Sequence, residues 1–238
     1  TIEEVRENIK ALVTDAKMLA KAAAEGKLDT RADASKHQGD YREIVEGVNK
    51  TLDNVIGPLN VAAEYVDRIS KGDIPPKIED EYNGDFNEIK NNLNQCIDSL
   101  NNLIKEMNYM SEQHDLGDID VVINKDKFQG AYQTMAVGVN DMVNGHISVK
   151  KKAMACFKEF GDGNLDAEIE QFPGKKKFIN DTIEEVRENI KALVTDTKML
   201  AQSAAEGKLD TRADASKHQG DYRIIVDGIN TTLDNVIT

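Results

Sequence analysis

The side chains of this sequence that could carry out chemistry are four histidines, two cysteines and several clustered carboxylates. His37, His114, His146 and His218 form no His-x-x-x-His or His-Glu-x-x-His pair, so the sequence predicts no metal site. His37 and His218 occupy copies of one position and are expected in solvated loops. His114 and His146 are expected to be packed or to lie at the rim of a helical core.

Phosphotransfer and thiol chemistry are not supported either. A phosphoacceptor histidine would need an acidic neighbour, but His146 is followed by Ile147, and no nucleotide-binding glycine motif comes after it. Cys96 and Cys156 lie in separate helical patterns without a Cys-x-x-Cys spacing, which indicates buried, reduced thiols. The acidic run at 79–81 is interpreted as solvent-exposed surface and not as a pair of catalytic carboxylates. We therefore predict no catalytic residue, no cofactor and no small-molecule substrate, and the chain is not expected to be an enzyme.

The composition indicates solvated helices with a narrow apolar stripe. Charged residues make up 31% of the sequence and aromatic residues 5%, and the net charge of −13 makes nucleic acid a poor partner. No apolar run is long enough to span a bilayer, and no charged-then-apolar leader is present. The segment is therefore expected to be soluble, cytoplasmic and free of membrane contact. Because it starts and stops within helical patterns, it is expected to be a piece of a longer protein.

An internal repeat organises the chain. Residues 1–56 reappear as residues 182–237 with seven differences. Glycines between and within these copies recur at spacings of 46, 45, 46 and 44 residues, and these connector glycines are Gly26, Gly72, Gly117, Gly163 and Gly207. A second glycine follows each of them, namely Gly39, Gly84, Gly130, Gly174 and Gly220. A fixed period of this size predicts an array of small supersecondary units.

Apolar stripes of helical spacing flank each pair of glycines. The clearest case surrounds Gly72, where the bundle seam is formed by Leu59, Ala62, Val66, Ile69, Phe86, Ile89, Leu93 and Leu100. Pro58 is expected at the head of the first stripe, and Asp85 is expected to be the N-cap of the second. Because the stripes run on into the next repeat without a turn signal, the trailing helix of one unit is expected to continue as the leading helix of the next.

The segment between the two glycines of each repeat is predicted to be a connector that holds to the helices by apolar plugs. The plugs stand two and six residues after the first glycine, and they are Leu28, Ala32, Ile74, Ile78, Ile119, Ile123, Leu165, Ile169, Leu209 and Ala213. A connector of roughly 13 residues can run back along a helix of about 25 Å. The two helices of a unit are therefore expected to be parallel.

These residues resemble a HAMP domain, the relay module of bacterial chemoreceptors and sensor histidine kinases. The resemblance rests on residues 26–56, with the Gly-x-apolar-x3-apolar connector, Asp40 at the start of the second helix, and the apolar-Asn pair Val48–Asn49. The pair recurs as Leu93–Asn94, Val139–Asn140 and Ile229–Asn230. Residues 51–78 are similar to poly-HAMP stretches of methyl-accepting chemotaxis proteins. The fourth repeat departs from the pattern, since Val186–Arg187 lacks the asparagine and FPGKKKF replaces the acidic helix start.

The resemblance implies an all-α fold of concatenated, parallel four-helix coiled-coil units formed by a homodimer. Residues 1–11 would end the second helix of a preceding unit. The units would then occupy 12–56, 57–102, 103–147, 148–192 and 193–238, hereafter units 1 to 5. Unit 4 is divergent, and unit 5 is a near-copy of unit 1. A monomeric spectrin-like or solenoid array is the alternative fold.

The resemblance implies a signal relay without catalysis, in which the partners are a second copy of the chain and the flanking sensor and output domains. The seam residues differ sharply between units, which favours a relay over the alternative, a passive coiled-coil spacer or structural rod. Ser111, His114 and His146 place polar groups at seam positions of unit 3. These three residues are the predicted switch, because buried polar groups would leave that unit less committed to one packing.

Overall fold

The computed structural model describes residues 1–237 and contains α-helices joined by extended connectors, with no β-strand in that range. The helices are α1 (Ile2–Ala24), α2 (Asp40–Ser70), α3 (Asp85–Asp115), α4 (Gly130–Gly161), α5 (Lys177–Ala205) and α6 (Gly220–Ile237). Single turns of 3-10 helix interrupt the connectors at Ala34–Lys36, Lys125–Lys127 and Ala215–Lys217, and a further one at Gly174–Lys176 leads directly into α5. The all-α prediction is therefore confirmed.

Four of the helices are each shared by two successive units, as the continuous stripes predicted. α2, α3, α4 and α5 contain 31, 31, 32 and 29 residues, and each is therefore about 45 Å long. Pro58 lies inside α2 rather than at its head, because the helix continues unbroken through the junction between units 1 and 2. An amphipathic stripe on both sides of the proline stabilises this continuation.

The glycine pairs bracket these joined helices. The second glycine of one unit and the first glycine of the next are 33 positions apart in every case (39 and 72, 84 and 117, 130 and 163, 174 and 207). All ten of these glycines have positive φ, between 52° and 96°. At the end of α2, Gly72 has φ +81°, and the amide of Asp73 donates to the carbonyl of Arg68 at 3.0 Å. This bond closes the last turn of the helix as a left-handed glycine cap does.

The second glycine turns the chain into the next helix. Gly84 has φ +55° and ψ −134°, a conformation that only glycine adopts readily. Asp85 is the first helical residue and not the N-cap, because the turn at Gly84 already places residue 85 in the helix. Its carboxylate lies in the first turn, where negative charge is favourable next to the helix dipole.

We expect Gly84→Ala to destabilise unit 2 by about 1–3 kcal/mol, since alanine is strained at this φ and ψ. No atom lies within 4 Å of the Cβ that would be added, so the effect would report backbone strain alone. Gly47→Ala is the matched control, because Gly47 lies inside α2 and its added Cβ also meets no atom. The control should be neutral or slightly stabilising. Thermal unfolding measures both, and equal melting temperatures for the two variants would contradict the expectation.

The described residues form two compact parts, residues 1–134 and the residues from 135 onward. In the first part, α1 packs on α2 and α2 packs on α3. In the second part, one small core joins Ala153 and Cys156 of α4 to Ile183 of α5. Another joins Leu200 of α5, Ala213 of the connector and Val226 of α6. Both cores therefore contain residues from both helices of their unit. In unit 5 the third residue of the core, Ala213, is the second plug of the connector.

Candidate functional site: the connectors and the helices they hold

The two plugs of each connector are not equivalent. The second plug is buried in four units, with Ala32, Ile78, Ile123 and Ala213 at most 6% exposed, and Ile169 of unit 4 is half-buried. The first plug is half-buried in Ile74 and Leu165 and about 40% exposed in Leu28, Ile119 and Leu209. The second plug is therefore the main point at which a connector is inserted between the helices of its own chain.

An asparagine on the second helix holds the backbone of the second plug. In unit 2, Asn94 accepts a hydrogen bond from the amide of Ile78 at 2.8 Å and donates to the carbonyl of Ile78 at 3.0 Å. Asn49 makes the same two bonds with Ala32, and Asn230 makes them with Ala213. We call this arrangement the asparagine clamp. It satisfies both polar groups of a plug residue that lies outside regular secondary structure.

A third anchor, which the sequence analysis did not identify, lies two residues before each second glycine. Its members are His37, Tyr82, Phe128, Phe172 and His218, and all are buried except the half-buried Tyr82. The expectation of solvated histidines is therefore wrong. The His37 ring packs against α1, and its Nε2 lies 2.7 Å from Oδ2 of Asp15, while His218 repeats this contact with Asp196 at 2.7 Å. The presence of a ring at this position in all five repeats was the signal available in the sequence.

Ion pairs fasten the connectors to the neighbouring helices. In units 1, 2 and 5 a connector cation binds an aspartate of the second helix: Arg31 to Asp53 at 2.7 Å, Lys77 to Asp98 at 2.7 Å, and Arg212 to Asp234 at 2.5 Å. In unit 3, Lys127 of the connector binds Glu106 of α3 at 2.6 Å. The hydrogen bond from Lys127 lowers the pKa of the Glu106 carboxyl. In all four units the connector supplies the positive charge.

Unit 4 reverses this polarity. Its connector supplies the acids, with Asp166 bound by Lys191 of α5 at 2.5 Å and Glu170 bound by Lys152 of α4. The hydrogen bond from Lys191 lowers the pKa of Asp166. The asparagine clamp is also displaced, since Asn180 accepts from the amide of Phe172 at 2.9 Å and donates to the carbonyl of Glu170 at 2.8 Å. The asparagine missing from the Val186–Arg187 pair is thus replaced by one two turns earlier in the helix.

We expect Glu106→Gln to weaken unit 3 by about 0.5 kcal/mol at pH 7, a value typical of an ion pair with an exposed lysine. Because the folded-state pKa of Glu106 is lowered, its contribution is present above the unfolded pKa of about 4.3 and is lost as the pH falls through the folded pKa. The stabilities of the variant and the parent should therefore converge as the pH falls below the lowered, folded-state pKa of Glu106. Urea titrations across this range test the expectation, with Glu112→Gln, at an exposed position of the same helix, as control. A difference that stays constant as the pH is lowered to the acid limit of the folded state would contradict it.

The three predicted switch residues are not buried, unpaired polar groups. Ser111 and His146 are exposed, and His114 is half-buried with its Nε2 2.8 Å from the carbonyl oxygen of Val121. Because His114 has a backbone partner, the penalty for an unsatisfied buried group does not arise at this residue. Within one chain only His114 is partly buried, and the role of all three residues as a switch stays a prediction.

The seam of unit 2 is only partly covered by its own chain. Leu59 and Val66 are 40% and 56% exposed, and the other predicted seam residues, Ala62, Ile69, Phe86, Ile89, Leu93 and Leu100, are half-buried. Unit 1 has a similar open groove between its helices, with an almost entirely apolar lining that includes Leu12, Val13, Leu19, Ile44 and Val48. A stripe that is apolar and half-covered is typical of a helix that packs against a further helix.

Residues 1–237 were predicted to have no metal site and no membrane-spanning run, and two cysteines were singled out in them. None of the helices in that range is both long and apolar enough to cross a bilayer. The same residues include no group of three or more histidine, cysteine or acidic side chains placed to bind a metal ion. Cys96 and Cys156 are free thiols, and burial raises the pKa of Cys156 while the nearby Arg187 opposes that shift.

Comparisons with known proteins agree with this architecture. The HAMP domain family matches residues 36–102 and 217–238, the family of HAMP N-terminal domain 3 matches 149–191, and the second HAMP domain of methyl-accepting chemotaxis protein McpB matches 97–145. Methyl-accepting chemotaxis protein McpB of Pseudomonas aeruginosa is 33% identical over 121 residues, which cover 50% of this chain and 17% of that protein. The matches follow one another along most of the sequence, and they include the divergent unit 4. The chain belongs to the HAMP domain family and consists of HAMP units in tandem.

Proposed function

We propose that this chain is a non-catalytic relay that passes conformational change along a dimeric poly-HAMP array, between a sensor input and an output domain that controls chemotaxis or a kinase. The observation that carries the proposal is the sharing of α2, α3, α4 and α5 between successive units. A helix is stiff along its axis, so a rotation or displacement at one end must be expressed at the other. A unit that changes its packing therefore moves a helix that also belongs to the next unit.

The proposed partner is a second copy of the chain in parallel orientation. Leu59 and Val66 are apolar, lie on the seam and are 40% and 56% exposed, so the helices of one chain cover only part of the stripe. A second identical pair of helices would complete a four-helix bundle with matching stripes. The array would work in the cytoplasm between flanking domains of the same protein. The chemotaxis output follows from the likeness to McpB, whose name describes a methyl-accepting chemotaxis protein.

The experiment that tests the relay inserts residues into α2 beside Gly57 in the full-length protein. Two inserted residues would add only about 3 Å but would turn the downstream stripe by about 200°, whereas seven would add about 10 Å and leave it within about 20° of its original direction. A relay should lose its stimulus response with two residues and retain it with seven. A passive spacer should respond to length alone and tolerate the smaller insertion.

Light scattering of the present chain gives the necessary control. Parent and seven-residue variant should both have twice the 26.4 kDa chain mass at micromolar concentration. A monomer mass for the parent would remove the homodimer, and with it the proposed mechanism. A two-residue variant that remains dimeric and keeps its full stimulus response would favour the spacer.

A further inference from the structure

Arg187 is a buried cation in the middle of α5, and it has an identical counterpart in a different setting. The residue is 9% exposed. The six residues 186–191 recur without change as residues 5–10, where the side chain of Arg6 is 63% exposed and bound to Glu3. Arg187 is therefore buried by the other segments of unit 4 and not by its local sequence.

The guanidinium of Arg187 contacts every segment of unit 4. Its Nη1 donates to the carbonyl of Leu165 at 2.7 Å, and its Nη2 donates to the carbonyl of Ala167 at 2.6 Å, so it binds the connector at two points. Its carbon centre lies 4.9 Å from the centre of the Phe160 ring of α4, and Nη2 is 3.9 Å from Sγ of Cys156, also in α4. One side chain of α5 therefore ties α4, the connector and α5 together.

The remaining charge of this buried group is balanced locally. Nε lies 3.0 Å from Oε2 of Glu184 in the preceding turn, although the two atoms are not aligned as a hydrogen bond. A guanidinium is suited to this position because its planar fork can donate to two carbonyls at once while its face rests on an aromatic ring. A lysine ammonium at the end of a flexible chain cannot reproduce that geometry.

The other units distribute the same task differently. In unit 1 the carbonyl of the first plug, Leu28, accepts from Arg31, which belongs to the connector itself and pairs with Asp53 of α2 at the surface. That arrangement leaves α1 out. In unit 4 the arginine is Arg187 of the second helix, α5. A single rotamer of Arg187 makes both the hydrogen bonds to the connector and the contact with the Phe160 ring of α4.

We propose that Arg187 is a positioning residue that locks the two helices and the connector of unit 4 in one packing. Unit 4 would then act as a rigid coupling, while the units held by an exposed connector pair can change their packing. The signalling part of this inference rests on the proposed relay function, but the lock itself does not. Any turn of α5 about its axis must break both carbonyl bonds and move the guanidinium off the Phe160 ring.

Hydrogen exchange in the intact chain tests the lock, with the variants Arg187→Lys and Arg187→Met and the control Arg6→Lys. We expect the hydrogen-bonded connector amides of Asp166 and Phe172 to exchange at least about tenfold faster in both Arg187 variants, because loss of a charge-assisted pair of bonds makes local opening easier. Arg6→Lys should leave them unchanged. The amides of α2 and α3 show in the same experiment that the rest of the chain is folded. If the connector amides of Arg187→Lys exchange as slowly as those of the parent, a positive charge alone is enough to hold the connector, and the proposed lock is overturned.

The stimulus response of the full-length protein tests the coupling. Arg187→Lys is expected to shift the output measured without stimulus, whereas Arg42→Lys, at an exposed arginine that pairs with Glu46 of its own helix, should not. Faster exchange in unit 4 with unchanged output would overturn the coupling role. This failure is distinguishable from a failure of the relay, because the relay is tested independently by the insertions in α2.

Discussion

Replacing Ile123 by alanine is expected to destabilise unit 3 by about 2–5 kcal/mol, the range measured for large-to-small changes at fully buried aliphatic positions. Ile123 is the second plug of its connector and is only 1% exposed, although it lies outside the helices. Three lost methyl or methylene groups would leave a cavity between the connector and the helices. Because the connector is held at few points, part of the cost should appear as local opening of the connector.

The matched control is Val122→Ala in the same connector. Val122 is 43% exposed, so its truncation should change the stability by no more than about 0.5 kcal/mol. Urea unfolding of both variants, with hydrogen exchange at residues 119–128 to localise the effect, measures the difference. Equal losses for the two variants would mean that the second plug is not the insertion point.

Asn94→Ala is expected to destabilise unit 2 by about 2–3 kcal/mol, because the amide and the carbonyl of Ile78 would both lose their partners. The gain in helix propensity from asparagine to alanine offsets only a few tenths of this cost. Opening should be greatest at Ile78 itself, since its backbone is held by this side chain while its own side chain stays apolar and buried.

Asn92→Ala, at an exposed position on the same helix, controls for the propensity term. It should be neutral or slightly stabilising. Hydrogen exchange at residues 74–80 and the urea midpoint are the two readouts. If both variants behave alike, the two hydrogen bonds of the clamp contribute no net stability, and the connector is held by its apolar side chains alone.

The helices and the connectors could be predicted from the sequence because their signals are local and repeated. The glycines, the spacing of the stripes and the continuation of each stripe into the next unit predicted joined helices, and α2 and α3 confirm that prediction. The burial of Ile78 was predicted from its fixed offset after Gly72. In these positions backbone geometry and apolar pattern point to the same structure.

What could not be predicted depends on pairs of residues that are distant in sequence. His37 reads as a polar loop residue until Asp15, 22 positions earlier, is known to face it. The replacement of the usual clamp by Asn180 was hidden because its partners are reached around the short turn at Gly174. Arg187 looks identical to Arg6 in its local sequence, and only the packing of α4 and the connector distinguishes them.

The interval between the glycines that bracket each joined helix is 33 positions in every case, and this constancy indicates where the chain can tolerate insertions and deletions. The connectors differ, with 13 positions from Gly26 to Gly39, 12 from Gly72 to Gly84 and 11 from Gly163 to Gly174. One residue gained or lost in a helix would turn everything beyond it by about 100°, whereas an extended segment absorbs the change locally. Insertions and deletions inherited by such arrays should therefore accumulate in the connectors, while the number of residues in each joined helix stays constant.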